Sequence, residues 1–226
     1  MAFTADKKRR VFYPDSDGKP FAEGDRHFRV MAYLINGLRM HFNDREDVYV
    51  SGNNFLYYEE GNSKARVSPD TYVVFGVGMH LRDKYLAWEE GGLAPDVVFE
   101  VTSKKTRRED TDTKLPLYER TLRTPEYFLF DPTGDYLRPR LQGYRLQNGR
   151  YIRLELVNSR FHSEQLGLDL VQEGERLRLY NPAKGEFLPT ALEQADRLAA
   201  EARRAQDAEA EVARLRAEIE TLKRQP

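Results

Sequence analysis

Apolar residues fall at helical spacing in the first patterned stretch, AEGDRHFRVMAYLINGLRMHF, where Phe28, Met31, Ile35, Leu38 and Phe42 share a face. That period predicts an amphipathic helix. The pattern then shortens. DVYVSGNNFLYYEEG carries Val48, Val50, Phe55, Leu56 and Tyr58 as a strand, with a glycine, Gly52, that marks a bulge or turn. The turn-rich EEGNSKARVSPD leads into a second strand, TYVVFGV, and residues 77 to 94 read as a loop or short helix around Trp88. APDVVFEVTS is a third strand. DTDTKLPLYERTL predicts a helix starting no earlier than about Asp112, because Pro116 is tolerated only where N–H groups have no intrahelical partner. PEYFLFDP is a short strand stopped by Pro132. From there to Pro189, short apolar runs alternate with turn signals (QNGRY, PAKGE) and predict extra antiparallel strands. Helix, three strands, helix, strand is the order of an α/β layered domain with a mixed sheet.

A different kind of sequence follows. From Thr190 onward there is no glycine, no aromatic residue and no proline before the last position, and Ala, Glu, Arg and Leu dominate. Leu198, Ala205, Val212 and Ile219 recur every seven residues, and Glu201, Ala208, Leu215 and Leu222 fill the interleaved series. This is the seam of a coiled coil, weak at its start and good at its end, and it predicts a homodimer through residues 190–226. The plainer reading is a single solvated helix. The expected division is a folded domain over 1–189 and a C-terminal helix over 190–226.

Composition changes the picture in three ways. The chain has 226 residues, 40% hydrophobic and 32% charged, with a mean hydropathy of -0.73, which fits a real core diluted by a very polar part. It has no cysteine, which excludes disulfides and thiolate metal sites. No apolar run approaches a membrane span and the basic N-terminus lacks the apolar stretch of a secretory signal, so a soluble cytoplasmic protein without membrane partners is expected. The 36 basic and 37 acidic residues nearly cancel, which argues against a protein built to wrap nucleic acid. A local basic patch remains: SKKTRRED places Lys104, Lys105, Arg107 and Arg108 after the third strand, where they could contact phosphates. Glu109 and Asp110 follow at once.

One carboxylate stands out. Side chains alternate across a strand, so Asp96, Val98, Glu100 and Thr102 share one face, opposite Val97, Phe99 and Val101. Glu100 is thus set among hydrophobes, a costly place unless a cation compensates it. Asp70, at the start of the neighbouring strand, could converge on it. Two carboxylates and a backbone carbonyl suit Mg²⁺ or Mn²⁺, an ion that lowers the pKa of bound water and stabilises charge on a phosphodiester.

Asp70 followed by Glu100 in FEVTS, within the order above, resembles the PD-(D/E)XK nuclease superfamily. RVSPDTYVVFG, then APDVVFEVTSKKTRREDTDTKLPLYERT, then PEYFLFDP, resembles more closely the Uma family of putative restriction endonucleases. The resemblance runs from YPDSDGKPFAEGDRHF through FHSEQLGLDLVQEGERLRLYNP. It implies a nuclease-like mixed sheet flanked by helices and a metal-dependent endonuclease acting on DNA. It implies roles as well. Asp70 and Glu100 would ligate the metal, with the carbonyl of Val101 as a further ligand. The superfamily's lysine two residues after the acid is replaced here by Thr102, and Lys114 of the following helix stands in the position from which the family recruits one. Glu23 matches an acidic residue that can sit near the metal.

Other residues read as structural. Asp96 is a strand-entry residue, Trp88 and Tyr118 are packing residues, QNGRY is a hairpin turn, and His27, His41, His80 and His162 show no ligand spacing. The missing lysine at 102 and the lack of basic excess sustain an alternative: a catalytically inactive nuclease-fold protein that works in binding or coiled-coil assembly. RNA in place of DNA is not separable from sequence.

Overall fold

The computed structural model describes residues 11–16, 18 and 24–223. Two compact units divide the chain, Met1–Leu188 and Pro189–Pro226.

In the first unit, helix α1 (Asp25–His41) turns His27, Val30, Met31, Leu34, Gly37 and Leu38 inward. The buried face is rotated from the expected one, leaving Phe28 54% exposed, because Leu34 and Val30 are the side chains that reach the sheet's core. Strands β1 (Val48–Ser51), β4 (Thr71–Phe75), β6 (Val97–Val101), β7 (Glu126–Phe130), β8 (Leu141–Gln147) and β9 (Arg150–Arg153) form a six-stranded mixed sheet in the order β1-β4-β6-β7-β8-β9. Only β6 and β7 are parallel; the other neighbours are antiparallel. A parallel pair needs a long crossover, and its strands are covered on both faces. Every residue of β6 and β7 is buried.

The two faces of this sheet make two cores. On one side Val97, Phe99, Val101, Phe128 and Phe130 pack with Val30, Leu34 and Leu38 of α1 and with Leu168, Leu170, Leu177 and Leu179. Those leucines come from a four-stranded antiparallel sheet, β10 (Arg160–Ser163), β11 (Leu168–Glu173), β12 (Arg176–Asn181) and β13 (Glu186–Phe187). On the other side Val98, Tyr127 and Leu129 meet Tyr118 and Leu122 of the crossover, and Leu56, Val67 and Tyr85 of a three-stranded sheet. That sheet is β3 (Arg66–Val67), β2 (Phe55–Tyr57) and β5 (Lys84–Leu86).

Two elements depart from the sequence reading. DVYVSGNNFLYY is two strands in two different sheets, not one. Asn53, with φ 54°, turns the chain between them, and its N–H donates to the carbonyl of Pro69 at 2.8 Å. The crossover helix also starts before Asp112. Ser103 and Thr106 close a hydrogen-bonded turn, and the helical segment is π-helical over Glu109–Lys114, α-helical over Leu115–Leu117 (α2) and π-helical again over Tyr118–Leu122. Wider turns on either side carry the chain past Pro116, which has no N–H to give. Residues 77–94 hold β5 and a short 3₁₀ turn, Ala87–Glu90, with Trp88 against Tyr13 at 5.0 Å between ring centroids.

The second unit is α3 (Ala191–Lys223). It opens with a capping box: Thr190 N–H donates to Glu193 Oε2 at 2.7 Å and Glu193 N–H to Thr190 Oγ1 at 3.2 Å. Leu198, Val212, Leu215, Ile219 and Leu222 are all between 45% and 60% exposed. Among the described residues no helix is long and apolar enough to cross a membrane.

Candidate active site

The antiparallel register that pairs Thr71 with Phe99 carries Asp70 to the position across from Glu100. Residues opposite each other in such a pair point to the same face. Asp70 Oδ2 accepts the N–H of Val101 at 2.7 Å, and Oδ1 lies 3.1 Å from His27 Nε2 at the start of α1. Gly52 backs this arrangement: a Cβ there would stand 2.0 Å from the carbonyl oxygen of Asp70. No side chain but hydrogen fits.

Glu100 has a side chain with 0% exposure, and its partners come from the crossover. Lys114 Nζ donates to Oε2 at 2.8 Å, and the Tyr118 hydroxyl to Oε1 at 3.2 Å. Lys114 also reaches the Ser68 carbonyl at 3.4 Å and Asp110 Oδ1 at 3.4 Å. Tyr127 fixes the segment from below, donating to the Asp110 carbonyl at 3.0 Å. Asp110, Lys114 and Tyr118 stand at i, i+4 and i+8, one stripe of the helical segment laid over β6.

Glu100 and Asp110 thus share one ammonium, with Asp70 acting on it only at longer range. Burial pushes the Glu100 carboxyl well above its ordinary value; Lys114 pulls it back, and Asp70 and Asp110 push it further up. Asp110 is likewise raised, by burial first, against the pull of Lys114. For Lys114 burial disfavours the cation, but Glu100, Asp110 and Asp70 outweigh it and raise its value above that of an ordinary lysine. Lys114 is therefore an ammonium throughout the neutral range, while burial disfavours the ionised forms of Glu100 and Asp110.

A divalent cation beside them would favour the ionised forms that burial disfavours. The donor chemistry fits: two carboxylates on one face and the backbone of Val101 between them. Beside them Thr102, 2% exposed, holds a hydroxyl with no hydrogen-bond partner among the described residues, at the wall of a cleft of about 410 Å³. His27, Ser103 and Lys104 line the same cleft. Among the described residues no three His, Cys, Asp or Glu side chains form a ready cation cage.

Of the residues singled out from sequence, Asp70, Glu100, Val101 and Lys114 come together here. Glu23 lies outside the described residues. Lys104, Lys105, Arg107 and Arg108 are exposed on the loop and helical turn after Thr102, and among the described residues none of them pairs with a carboxylate. Asp96 is structural, taking the N–H of Phe75 at 2.8 Å and joining β4 to β6. Sequence reasoning misses three neighbours. His27 carries no spacing signal at all. Tyr118 is a hydrogen-bond donor to Glu100 as well as a packing residue, and Asp110 is a partner of Lys114 rather than one more charge in a mixed patch. The four-residue spacing of Asp110, Lys114 and Tyr118 is the available signal for the last two.

Comparison with known proteins gives a family match over most of the chain. The family Uma2, described as "Putative restriction endonuclease", matches over residues 4–191. A solved structure, that of a putative nuclease belonging to DUF820 from Anabaena variabilis, is similar at 14% identity over 66% of this chain and 76% of that one, with a TM-score of 0.46. No curated protein matches at a significant level.

Proposed function

This chain belongs to the Uma2 family of putative restriction endonucleases, and from that premise we propose that it is a divalent-metal-dependent endonuclease that hydrolyses DNA phosphodiesters. The reading rests on one observation: Asp70 and Glu100 share a face of the sheet, and Lys114 is held 2.8 Å from Glu100 by an element other than its strand. A bound Mg²⁺ or Mn²⁺, held by Asp70, Glu100 and the carbonyl of Val101, would supply a water of lowered pKa and a counter-charge for the phosphoryl group.

The protein's own residues do the rest. The Val101 N–H orients the Asp70 carboxylate, and His27 Nε2 stands 3.1 Å from its other oxygen. Tyr118 and Lys114 orient that of Glu100. Lys114, being protonated, donates: it orients the attacking water or faces a phosphate oxygen, and does not act as a general base. Thr102, in the place of the superfamily lysine, carries a buried hydroxyl beside the cleft that His27, Ser103 and Lys104 line. Lys104, Lys105, Arg107 and Arg108 contact phosphates flanking the scissile bond. A homodimer through residues 190–226 brings one such centre to each strand of a duplex.

The deciding experiment is plasmid cleavage by the purified protein with Mg²⁺, Mn²⁺ or EDTA, beside Glu100→Gln and Asp70→Asn. Cleavage that needs the ion and disappears in both variants is expected. Cleavage that survives in Glu100→Gln would place the chemistry elsewhere. A second reading has its own support: Lys114 already neutralises Glu100 without a metal, as an inactive, assembly-directed relative would need. No cleavage of DNA or RNA by the wild type with either ion would favour it.

A further inference from the structure

Hairpin β8–β9 turns on Asn148 and Gly149, with φ of 50° and 82°. Two central residues with positive φ are what a tight two-residue hairpin loop requires. This turn brings Arg150 to the far end of the crossover's helical segment, where Arg120 and Arg123 stand. With Asn148 and Gly149 the three arginines line an open concavity of about 460 Å³. Arg123 ends the helical segment in the left-handed conformation, φ 56°, and its guanidinium lies over the turn. A Cβ at Gly149 would sit 3.2 Å from its Nη1.

Among the described residues one carboxylate serves this cluster. Glu119 Oε2 takes Arg120 Nε at 3.1 Å and lies 3.5 Å from Arg150 Nη1, while Oε1 takes the N–H of Tyr151 at 2.8 Å. Among the described residues Arg123 pairs with no carboxylate. Three guanidinium groups against one carboxylate leave a local positive surplus on a chain whose net charge is -1. Their mutual repulsion disfavours the gathering, and a bound polyanion relieves it. Arginine's planar fork matches the paired oxygens of a phosphate. Arg120 also lines the adjoining cleft of about 430 Å³, together with Arg66, Thr113 and Lys114. The concavity and the side chain nearest Glu100 are therefore joined along one surface.

We propose that the Arg120–Arg123–Arg150 concavity is a second anion site, where each arginine faces one of up to three neighbouring backbone phosphates of a nucleic acid lying along the crossover from Lys114. It rests on the reading that nucleic acid is the substrate. Binding is measured without turnover: the full-length protein in EDTA, a fluorescein-labelled duplex DNA, anisotropy over a NaCl series. In Arg120→Gln/Arg123→Gln/Arg150→Gln the affinity falls tenfold or more. The slope of log K against log [NaCl] becomes shallower by about 2 to 3, at ~0.9 for each phosphate no longer neutralised. Arg123→Gln alone, which breaks no ion pair to a described residue, lowers the slope by about 1. The triple lysine variant, which keeps the charge, retains most of the affinity.

Unchanged affinity and slope in Arg123→Gln and in the triple glutamine variant would overturn the proposal. So would competition by poly-glutamate as strong as by unlabelled DNA, which would mark a site for an acidic protein. Glu100→Gln keeps the arginine-dependent binding. If arginine-dependent binding is present and the wild type hydrolyses nothing, the nuclease reading fails and this site stands.

Discussion

Replacing Lys114 by methionine tests the centre without any substrate. At 2.8 Å from Glu100, and with an effective dielectric of about 20, the pair attracts by about 6 kcal/mol. Drying the ammonium takes back several kcal/mol of that, and the net loss on removing one partner of a buried pair is about 3–5 kcal/mol. The loss depends on pH, and the direction follows from Glu100. Its carboxyl is raised above the unfolded value, so the folded protein holds the proton more tightly. Stability due to this group therefore falls as pH rises from the ordinary glutamate value through the folded one. Without Lys114 the folded value climbs further, and each additional pKa unit adds about 1.4 kcal/mol to the loss at high pH. Lys114's own contribution is constant over this range: its value is raised, so it is complete below the ordinary lysine pKa and is lost only in alkali above it. Urea unfolding at pH 5 and pH 8 should therefore show a gap between wild type and Lys114→Met that is small in acid and widens toward about 3–5 kcal/mol. Adding Glu100→Gln removes the stranded charge and should return about 1–3 kcal/mol at pH 8. A gap that does not change with pH, or a double variant no more stable than the single one, would refute this account.

Other perturbations separate site from scaffold. Gly52→Ala drives a Cβ into the Asp70 carbonyl, so it should cost about 1–3 kcal/mol in a melt and suppress metal-dependent cleavage; a fully active variant would show that the Asp70 backbone can move freely. Asp131 closes β7 by accepting bonds from the Thr133, Tyr136 and Leu137 N–H groups and the Thr133 hydroxyl. Burial opposes its ionisation, but these bonds prevail and hold its value below that of an ordinary aspartate. Asp131→Ala should cost about 2–4 kcal/mol at pH 7, a penalty that shrinks as pH falls below about 3.9, where the wild type loses the same contribution. Sedimentation should find a dimer of the full chain and a monomer of residues 1–189; a monomeric full chain would leave the exposed seam of α3 without a partner.

Periodicity alone marked α1, the buried strand around Glu100, the closing strand before Pro132 and the long heptad helix, because each is a local pattern repeated over several residues. It also marked Glu100 as a problem, since a carboxylate inside VVFEV must find a cation wherever the chain goes. Which cation, and from where, is not local. Lys114 meets Glu100 because the crossover lies over β6 with the Asp110, Lys114 and Tyr118 stripe downward, and that rotation is set by Tyr118 and Leu122 packing against Tyr127 and Leu129. His27 reaches Asp70 only because the buried face of α1 is rotated toward Val30 and Leu34. The split of β1 from β2 depends on a turn at Asn53, and the three arginines gather only once a hairpin folds back onto a helix end. Sequence patterns determine what each segment wants to bury. Register and packing angle decide which polar side chains are carried to the same point, and those are properties of the assembled sheet.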